Sequence, residues 1–180
     1  MAELTVEYVR ECLDYDPDTG VFTWRERPAG HFKTARARSA WNARFSGGAA
    51  GGLDHRGYCY VRIGGKKSFL AHRLAWLHVY GAWPREQIDH INQIKSDNRL
   101  ANLREASQKQ NLWNTGARGN NQAGLKGVSP LGRRFVAQIR AGRKRKIYLG
   151  LFKTPEEAHA AYCAAAERHH GEFANGGGSA

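Results

Sequence analysis

The sequence lacks three features that would place it in a common class of protein. No apolar run approaches the roughly 20 residues that a membrane-spanning helix requires. The amino terminus, MAELTVEYVRECL, does not have the pattern of a secretory signal peptide. The three cysteines, Cys12, Cys59 and Cys163, are far apart and form neither a disulfide framework nor a CxxC zinc motif. We therefore expect a protein of a reducing cytoplasm.

Acidic residues are missing from a long stretch of the chain, since no Asp or Glu occurs between Glu105 and Glu156. The chain of 180 residues has a formal net charge of +12 and a pI near 10. A field of one sign is typical of a protein that binds the phosphate backbone of a nucleic acid. A basic membrane-surface protein and a merely solvated charged face are the competing interpretations.

Polar residues concentrate in the stretch from His72 to Asn114, where a simple hydrophobic core would not place them. A short strand is predicted over residues 87–90, and it ends on Asp89 and His90. A loop rich in Asn, Asp, Lys and Ser follows, and a second strand lies within residues 101–105. The hairpin would therefore place a carboxylate next to an imidazole.

A helix is predicted after this hairpin, because Ser107 and Gln110 form a capping box. Asn111 would lie in its first turns and point back at Asp89 and His90. Carboxylate and carboxamide oxygens suit Mg²⁺ with several waters retained, and an imidazole can take a proton from water. The alternative is a polar turn with one surface histidine.

The stretch resembles the HNH nucleases, in particular their phage and intron-encoded branch. The resemblance implies that His90 is the general base and that Asp89 and Asn111 bind the metal. It also implies that Asn102 braces the loop through backbone hydrogen bonds. The matching motifs are His72-Arg73-Leu74, Asp89-His90, Asp97-Asn98-Arg99, Asn102-Leu103-Arg104, and Asn111 with Asn114.

Three further residues of this stretch have two interpretations each. Arg99 and Arg104 could clamp phosphate groups, or each could form a salt bridge on the protein surface. His72 could be a structural histidine beneath the site, or it could contact phosphate or metal. We include all three among the candidate catalytic residues.

The carboxy-terminal part predicts a three-stranded sheet backed by one helix. Apolar and polar residues alternate through FVAQIR and KIYL, so each strand would have an apolar and a polar face. Thr154-Pro155-Glu156-Glu157 combines an N-cap, a proline at the first helical position and a capping-box glutamate. The helix that follows is rich in alanine and ends at Gly171.

This segment resembles the Apetala/ethylene-response-factor DNA-binding domain through its GV, FVAQIR, YLGLF and PEEAHAAY motifs. The resemblance implies that the sheet enters the major groove of DNA. Tyr148 occupies a position where that family usually has Trp. Gly132 and Arg133 occupy a turn where plant members often have a second Trp. The predicted DNA contacts are Lys126, Ser129, Arg134, Gln138, Arg140, Lys144, Lys146 and Tyr148.

The rest of the chain predicts a helix over residues 4–13, a turn at 16–20, a strand over 21–24, a hairpin over 58–71 and a helix over 72–80. The arginine-containing region 25–52 predicts no element; it could be a mobile loop that contacts DNA or a solvated insertion. The predicted domains are an N-terminal helix, strand and loop region (1–57), an HNH nuclease domain (58–115), a linker (116–124), a DNA-binding domain (125–175) and a disordered tail (176–180).

These patterns and resemblances together predict an α+β fold. A ββα-metal nuclease core would follow a β-rich and helical N-terminal region, and would precede a three-stranded antiparallel sheet packed on one helix. We expect a monomeric, phage- or mobile-element-encoded DNA endonuclease of the homing type, in the cytoplasm of a bacterial host. It would cut double-stranded DNA with a divalent metal, Mg²⁺ or alternatively Mn²⁺, and would bind no membrane. A non-cutting DNA-binding regulator and a nuclease that prefers RNA are the alternatives.

The cysteine pattern generates a first test. No thiol cluster is present to hold zinc, so we expect cleavage to depend on a hard divalent ion and the fold to need no zinc. Metal analysis after dialysis checks this expectation. A stoichiometric zinc whose removal unfolds the protein would contradict it.

Overall fold

The computed structural model describes residues 4–65, 67–141 and 146–177. Within these residues the chain forms two compact units, the first ending at Glu105 and the second beginning at Ala106. Both units mix helices with small antiparallel sheets, as the sequence predicts. No helix of the described part is long and apolar enough to cross a membrane. The predicted DNA contact Lys144 and residues 178–180 of the predicted tail lie outside the described residues.

The first unit contains short helices and short antiparallel strands. Its helices are α1 (Val6–Cys12), α2 (Ala35–Phe45) and α3 (Ala71–Tyr80). Its strands are β1 (Leu13–Tyr15), β2 (Phe22–Trp24), β3 (Gly52–Leu53), β4 (Cys59–Arg62), β5 (Ser68–Leu70), β6 (Gln87–His90) and β7 (Leu103–Ala106), the last of which runs through the boundary between the units. β1 pairs with β2, β3 with β4 and β5, and β6 with β7. The predicted hairpin over 58–71 and the predicted strand over 87–90 are confirmed.

Helix α3 lies at the centre of the first unit's core. Its residues Leu74, Ala75 and Leu77 are buried and pack with Val9 and Cys12 of α1. The helix ends because Gly81 adopts a left-handed conformation (φ 76°) and donates its N–H to the Leu77 carbonyl at 2.9 Å. The predicted helix and its glycine stop are confirmed, and the first turn of α3 places His72 in the interior.

Helix α2 occupies the region where the sequence predicts no element. None of its residues is buried, so its sequence has no apolar stripe that could reveal it. Tertiary contacts hold it instead. The Trp41 ring meets the Trp24 ring edge-on at 5.3 Å, and Asn42 exchanges two hydrogen bonds with the backbone of Arg27. The expectation of a mobile loop is therefore wrong for residues 35–45, whereas a solvated insertion remains compatible with a helix that has no buried residue.

The second unit contains α4 (Gln108–Asn114), β8 (Val128–Leu131), β9 (Arg134–Arg140), β10 (Lys146–Phe152) and α5 (Pro155–His170). The three strands form an antiparallel sheet in the order β10-β9-β8. The buried core of this unit lies between the sheet and α5, where Ile139 and Ala137 pack with Tyr162, Ala158 and other small residues. A three-stranded sheet backed by one helix is therefore confirmed as an architecture.

Local signals set the ends of α5. The Thr154 side chain accepts the Glu157 N–H at 3.2 Å, and the Glu157 carboxylate accepts the Thr154 N–H, so the predicted capping box is present. Pro155 begins the helix, and Gly171 ends it. Because Ala158, Ala165 and Ala166 are buried along α5, its backbone can lie close to the sheet.

Gly127, immediately before β8, packs directly against the Tyr162 ring of α5. It has a φ of 77°, and a Cβ atom there would lie 1.9 Å from Cδ2 of Tyr162. We expect Gly127→Ala to destabilise the protein by about 3 kcal/mol or more, since overpacking adds to backbone strain. Gly132→Ala is the matched control, because Gly132 has a φ of 60° but open space around it. Gly132→Ala should lower the free energy of unfolding by about 1–2 kcal/mol through backbone strain alone. Denaturant unfolding measures the free energy of unfolding of both variants. Equal losses would contradict the proposed clash.

Candidate active site

Strand β6 ends with two buried polar residues, which are unusual at the end of a strand. Asp89 and His90 are 4 % and 6 % exposed, and Ile88 beside them belongs to the hydrophobic core. Burying a carboxylate and an imidazole is costly unless they have partners. The partners that the structure provides define the candidate site.

The partner of Asp89 is Arg104 on strand β7. The Arg104 guanidinium donates from Nε at 3.0 Å and from Nη2 at 2.9 Å to Oδ2 of Asp89. Both side chains are largely shielded from solvent. Of the two interpretations of Arg104, the structure supports an ion pair rather than a phosphate clamp, and the pair is buried rather than superficial. Arg104 holds the carboxylate in place and offsets part of its charge.

The partner of His90 is Asn98, whose position in the loop the sequence analysis noted without assigning it a role. His90 Nε2 lies 3.3 Å from Asn98 Oδ1, while Asn98 Nδ2 donates to the Ser96 carbonyl at 3.2 Å. Because the amide nitrogen is used by Ser96, the oxygen faces the ring and accepts the Nε2 proton. This assignment leaves the lone pair on Nδ1. Burial lowers the pKa of His90, so its neutral form prevails at neutral pH.

His72 lies against His90 in the interior of the first unit. The two imidazole rings meet edge-on with centroids 4.9 Å apart, and the Tyr58 ring lies 5.8 Å from His72. His72 is 5 % exposed, and its Nδ1 atom has no hydrogen-bond partner within the described residues. Burial lowers the pKa of His72 to about 3. The structure therefore places His72 directly beneath His90 as a neutral imidazole.

Asn102 closes the loop between β6 and β7. Its Oδ1 accepts the Asn92 N–H at 3.0 Å, and its Nδ2 donates to the Asp97 carbonyl at 2.8 Å. Its own carbonyl accepts the Ile91 N–H at 2.9 Å. The Asn102 carboxamide therefore bonds to the loop backbone at two positions, and the bracing role that the resemblance implies stays a prediction. One carboxamide thus ties both ends and the middle of the loop together.

Asp97 and Arg99 form a second ion pair inside this loop. Arg99 Nε donates to Asp97 Oδ1 at 2.8 Å, and Arg99 Nη2 donates to Asp97 Oδ2 at 2.6 Å. The hydrogen bond from Arg99 holds the pKa of Asp97 well below its usual range. Asp97 also accepts a hydrogen bond from the Asn92 side chain at 2.7 Å. Arg99 is half-exposed, and the geometry again supports the ion-pair interpretation rather than the clamp.

Two residues that are distant in sequence pack against the loop between β6 and β7. Neither is recognisable as part of the site from the sequence. The Tyr15 hydroxyl donates to the Asn98 carbonyl at 2.7 Å. Gly20, with a φ of 72°, lies so close that a Cβ atom would be 2.4 Å from the backbone of Asn98 and Arg99. From sequence alone, the Asp-Pro-Asp-Thr-Gly segment predicts a turn and nothing more. Only the tertiary fold shows that it supports the residue that orients His90.

Asn111 lies in the second unit, near the start of α4. The predicted capping box of Ser107 and Gln110 is present at the helix N-terminus. The helix is then held within the second unit. The Trp113 ring stacks on the His170 ring at 4.2 Å, and the Asn175 side chain donates to Asn114 Oδ1 at 3.1 Å.

Most of the predicted DNA contacts share the exposed face of the three-stranded sheet. Gln138 lies opposite Tyr148, and Arg140 lies opposite Lys146, in the register of β9 and β10. Ser129 on β8 and Arg134 on β9 point to the same side, because paired and alternate residues share a face. All six side chains are exposed, whereas α5 covers the opposite face.

Lys126 is the exception among the described DNA-contact candidates. Its ammonium group donates to the Trp113 carbonyl at 2.6 Å and to the Asn175 carbonyl at 3.1 Å. Burial lowers the pKa of Lys126 to about 8. These contacts give Lys126 a role in holding α4 against the carboxy-terminal segment. We therefore remove it from the set of residues expected to face DNA.

The donor set determines which metal could bind near Asp89. No group of three or more His, Cys, Asp or Glu side chains with metal-binding geometry occurs in the described part of the chain. A zinc-type cage is therefore not seen there. A carboxylate with a carboxamide oxygen fits a hard ion such as Mg²⁺, which keeps several waters and binds substrate phosphate as well. Within the first unit, the Asp89 carboxylate is a hard anionic oxygen ligand of the kind that such an ion takes.

Comparison with known families agrees with the location of this site. Residues 69–112 match the family model described as HNH endonuclease. The match includes α3, β6, the loop, β7 and most of α4, which is consistent with a ββα-metal core, and it points to a nuclease. It covers less than half of the chain and does not extend to the sheet of the second unit. No curated protein and no solved structure was found to match the chain.

The burial of His72 predicts acid sensitivity. An unfolded chain protonates His72 near its ordinary pKa of 6.5, whereas the folded protein does so only near 3. As the pH falls below 6.5, the unfolded state therefore binds more protons, and the free energy of unfolding decreases. His72→Gln should reduce this decrease. Urea unfolding between about pH 7 and about pH 4 measures how the free energy of unfolding depends on pH. His55→Gln, which changes an exposed histidine, is the control. An unchanged pH dependence in His72→Gln would contradict the prediction.

Proposed function

We propose that this protein is a metal-dependent DNA endonuclease that hydrolyses phosphodiester bonds. The observation that carries the proposal is the buried Asp89-His90 pair, which lies inside the segment that matches the HNH endonuclease model. A buried carboxylate and imidazole do not help a strand end to fold. Their arrangement is that of a general base placed next to a hard anionic ligand.

His90 acts as the general base in this proposal. Its ring is held by Asn98 through Nε2, so Nδ1 takes the proton from the attacking water. The lowered pKa keeps the imidazole neutral at the start of the reaction. His72 packs against the ring and restricts its rotation, which makes His72 a positioning residue rather than a phosphate or metal contact.

Asp89 and Asn111 hold the metal in this proposal, Mg²⁺ or alternatively Mn²⁺. A bound divalent ion would supply positive charge that stabilises the phosphate and the leaving oxygen in the transition state. Arg104 donates to the same carboxylate, so it repels a cation and weakens the affinity of Asp89 for metal. We therefore expect weak metal binding by the protein alone and stronger binding when DNA phosphate is present.

The exposed face of the sheet in the second unit provides the DNA-binding surface in this proposal. Gln138 and Arg140 on β9 and Lys146 and Tyr148 on β10 offer hydrogen-bond donors side by side, as base and phosphate recognition requires. The proposal takes this surface from the sequence resemblance to the Apetala/ethylene-response-factor domain, in which the sheet enters the major groove. The substrate would be double-stranded DNA bound by a monomer, and a homing-type, phage- or mobile-element-encoded enzyme fits this combination.

A non-cutting DNA-binding regulator is the alternative function. The basic face of the sheet favours DNA binding under either hypothesis, so binding alone does not distinguish them. The buried base and carboxylate favour the nuclease, because a regulator has no use for a neutral imidazole beside an anionic ligand. A nuclease that prefers RNA is distinguished by offering both substrates to the protein.

The decisive experiment is plasmid cleavage by the wild-type protein and by His90→Ala. We expect wild-type protein to convert supercoiled plasmid to nicked or linear product with Mg²⁺ and not with EDTA. His90→Ala should be about 10²–10⁴-fold slower, because the general base is lost. Its DNA affinity should be nearly unchanged, because phosphate contacts elsewhere supply it.

His55→Ala is the matched control, since it removes an exposed histidine of the same unit. It should cut at the wild-type rate. Retention of near-normal cleavage by His90→Ala would show that the base is assigned wrongly. A wild-type protein that binds plasmid but leaves it intact with both Mg²⁺ and Mn²⁺ would favour the regulator.

A further inference from the structure

A second acid-free span lies in the first unit, in addition to the one near the carboxy terminus. Between Glu26 and Asp54 the chain has no Asp or Glu. The span includes the whole of α2. Its basic residues are Arg27, Lys33, Arg36, Arg38 and Arg44. This positive field therefore belongs to an ordered helix and its flanking residues.

Some of these basic residues have structural partners within the first unit. Arg27 donates to the Tyr8 hydroxyl at 2.8 Å, and its guanidinium lies 4.9 Å from the centre of the Trp41 ring. Arg38 pairs with Glu26 at 2.9 Å and donates to the Arg27 carbonyl. These arginines hold α2 in place, so they are not available for another partner.

The outward face of α2 carries the remaining cations. In helical projection, Arg38, Trp41, Asn42 and Phe45 form the half-buried side of α2. The opposite side is exposed and carries Arg36, Ser39, Ala40, Ala43 and Arg44. Lys33 is exposed just before the Thr34 N-cap. No carboxylate of the described chain forms an ion pair with Lys33, Arg36 or Arg44.

Helix stability accounts for Arg44, which lies in the last turn of α2 at the negative end of the helix dipole and 5.1 Å from the centre of the Phe45 ring. It does not account for Arg36. Arg36 lies in the first turn, where the helix dipole is positive and an acidic residue would stabilise the helix. An ordinary solvated helix also alternates acidic and basic residues three or four positions apart. The outward face of α2 has only one sign of charge. A polyanion outside the protein is the partner that this face fits.

We propose that the outward face of α2 binds the phosphate backbone of DNA through Arg36 and Arg44, with Lys33 beside them. The inference rests on the proposed nuclease function and adds a DNA contact to the unit that carries Asp89 and His90. Arg36 and Arg44 are eight residues apart, which is about 12 Å along the helix axis. The two guanidinium groups therefore reach separate phosphates. The small side chains between them allow the backbone to approach closely.

The experiment compares two double variants of the full-length protein. Arg36→Gln/Arg44→Gln removes the proposed contacts, and Lys153→Gln/Arg168→Gln removes two exposed charges at the ends of α5. Affinity for a linear duplex is measured over a salt series by fluorescence anisotropy with EDTA present. The slope of log affinity against log salt is negative, and its magnitude should decrease by about 1.8 in the α2 variant, since each phosphate contact contributes about 0.9. The control should keep nearly the wild-type slope.

The charge-reversal variant Arg36→Glu separates binding from folding. An acidic residue in the first turn complements the helix dipole, so the thermal midpoint should stay the same or rise. DNA affinity should fall further than in Arg36→Gln. Equal salt slopes for the α2 variant and the control would overturn the proposal, as would an Arg36→Glu variant of undiminished affinity.

These binding measurements do not depend on cleavage. If wild-type protein fails to cut plasmid, the nuclease function fails, while the contribution of α2 to affinity is still measured. If wild-type protein cuts DNA but the α2 variant keeps the full salt slope, only the α2 proposal fails.

Discussion

The carboxamide of Asn102 is the interaction on which the candidate site depends. It joins Asn92 and Asp97 of the loop through two backbone hydrogen bonds, and the loop in turn presents Asn98 to His90. A carboxylate at this position could accept a hydrogen bond but not donate one, and an aliphatic side chain could do neither. Each lost partner would leave a polar group unsatisfied at a cost of about 1–3 kcal/mol. The orientation of the imidazole is thus set by hydrogen bonds several residues away from it.

The buried pair of Asp89 and Arg104 adds a second constraint. Replacing such a pair by apolar residues is often neutral or stabilising, whereas removing one partner is strongly destabilising. Stability alone therefore gives little reason to retain the pair. Its presence at the end of β6, beside a neutral histidine, is better explained by a need for an anionic oxygen held in one position. The same guanidinium prevents the carboxylate from being an isolated buried charge.

Much of the fold could be predicted, because its signals are local. The capping boxes at Ser107 and Thr154, and the glycine that ends α3, are determined by residues within one or two turns. Helix α2 could not be predicted, because it has no buried residue and depends on contacts with distant aromatic rings. A wider count of acidic residues would have shown its one-signed charge.

The candidate site was predictable in its residue types but not in its contacts. Resemblance identified the motif that contains Asn98, but its role follows from a hydrogen bond that only the folded loop forms. Arg99 and Arg104 had two interpretations because sequence does not show which carboxylates lie nearby. Lys126 is a predicted DNA contact because of its position in the resemblance to the Apetala/ethylene-response-factor domain, and a resemblance does not show which carbonyl groups surround the ammonium group. Its partners lie 13 and 49 residues away in the chain.

The attachment of α4 within the second unit also has a consequence for how such genes can recombine. Lys126, His170 and Asn175 support the helix that carries Asn111. A crossover within residues 116–124 would give that helix a foreign neighbour in place of these three contacts. A crossover before Ala106 would transfer the helix together with its support. Exchange of the second unit between related proteins therefore keeps these three contacts only when the junction lies upstream of α4.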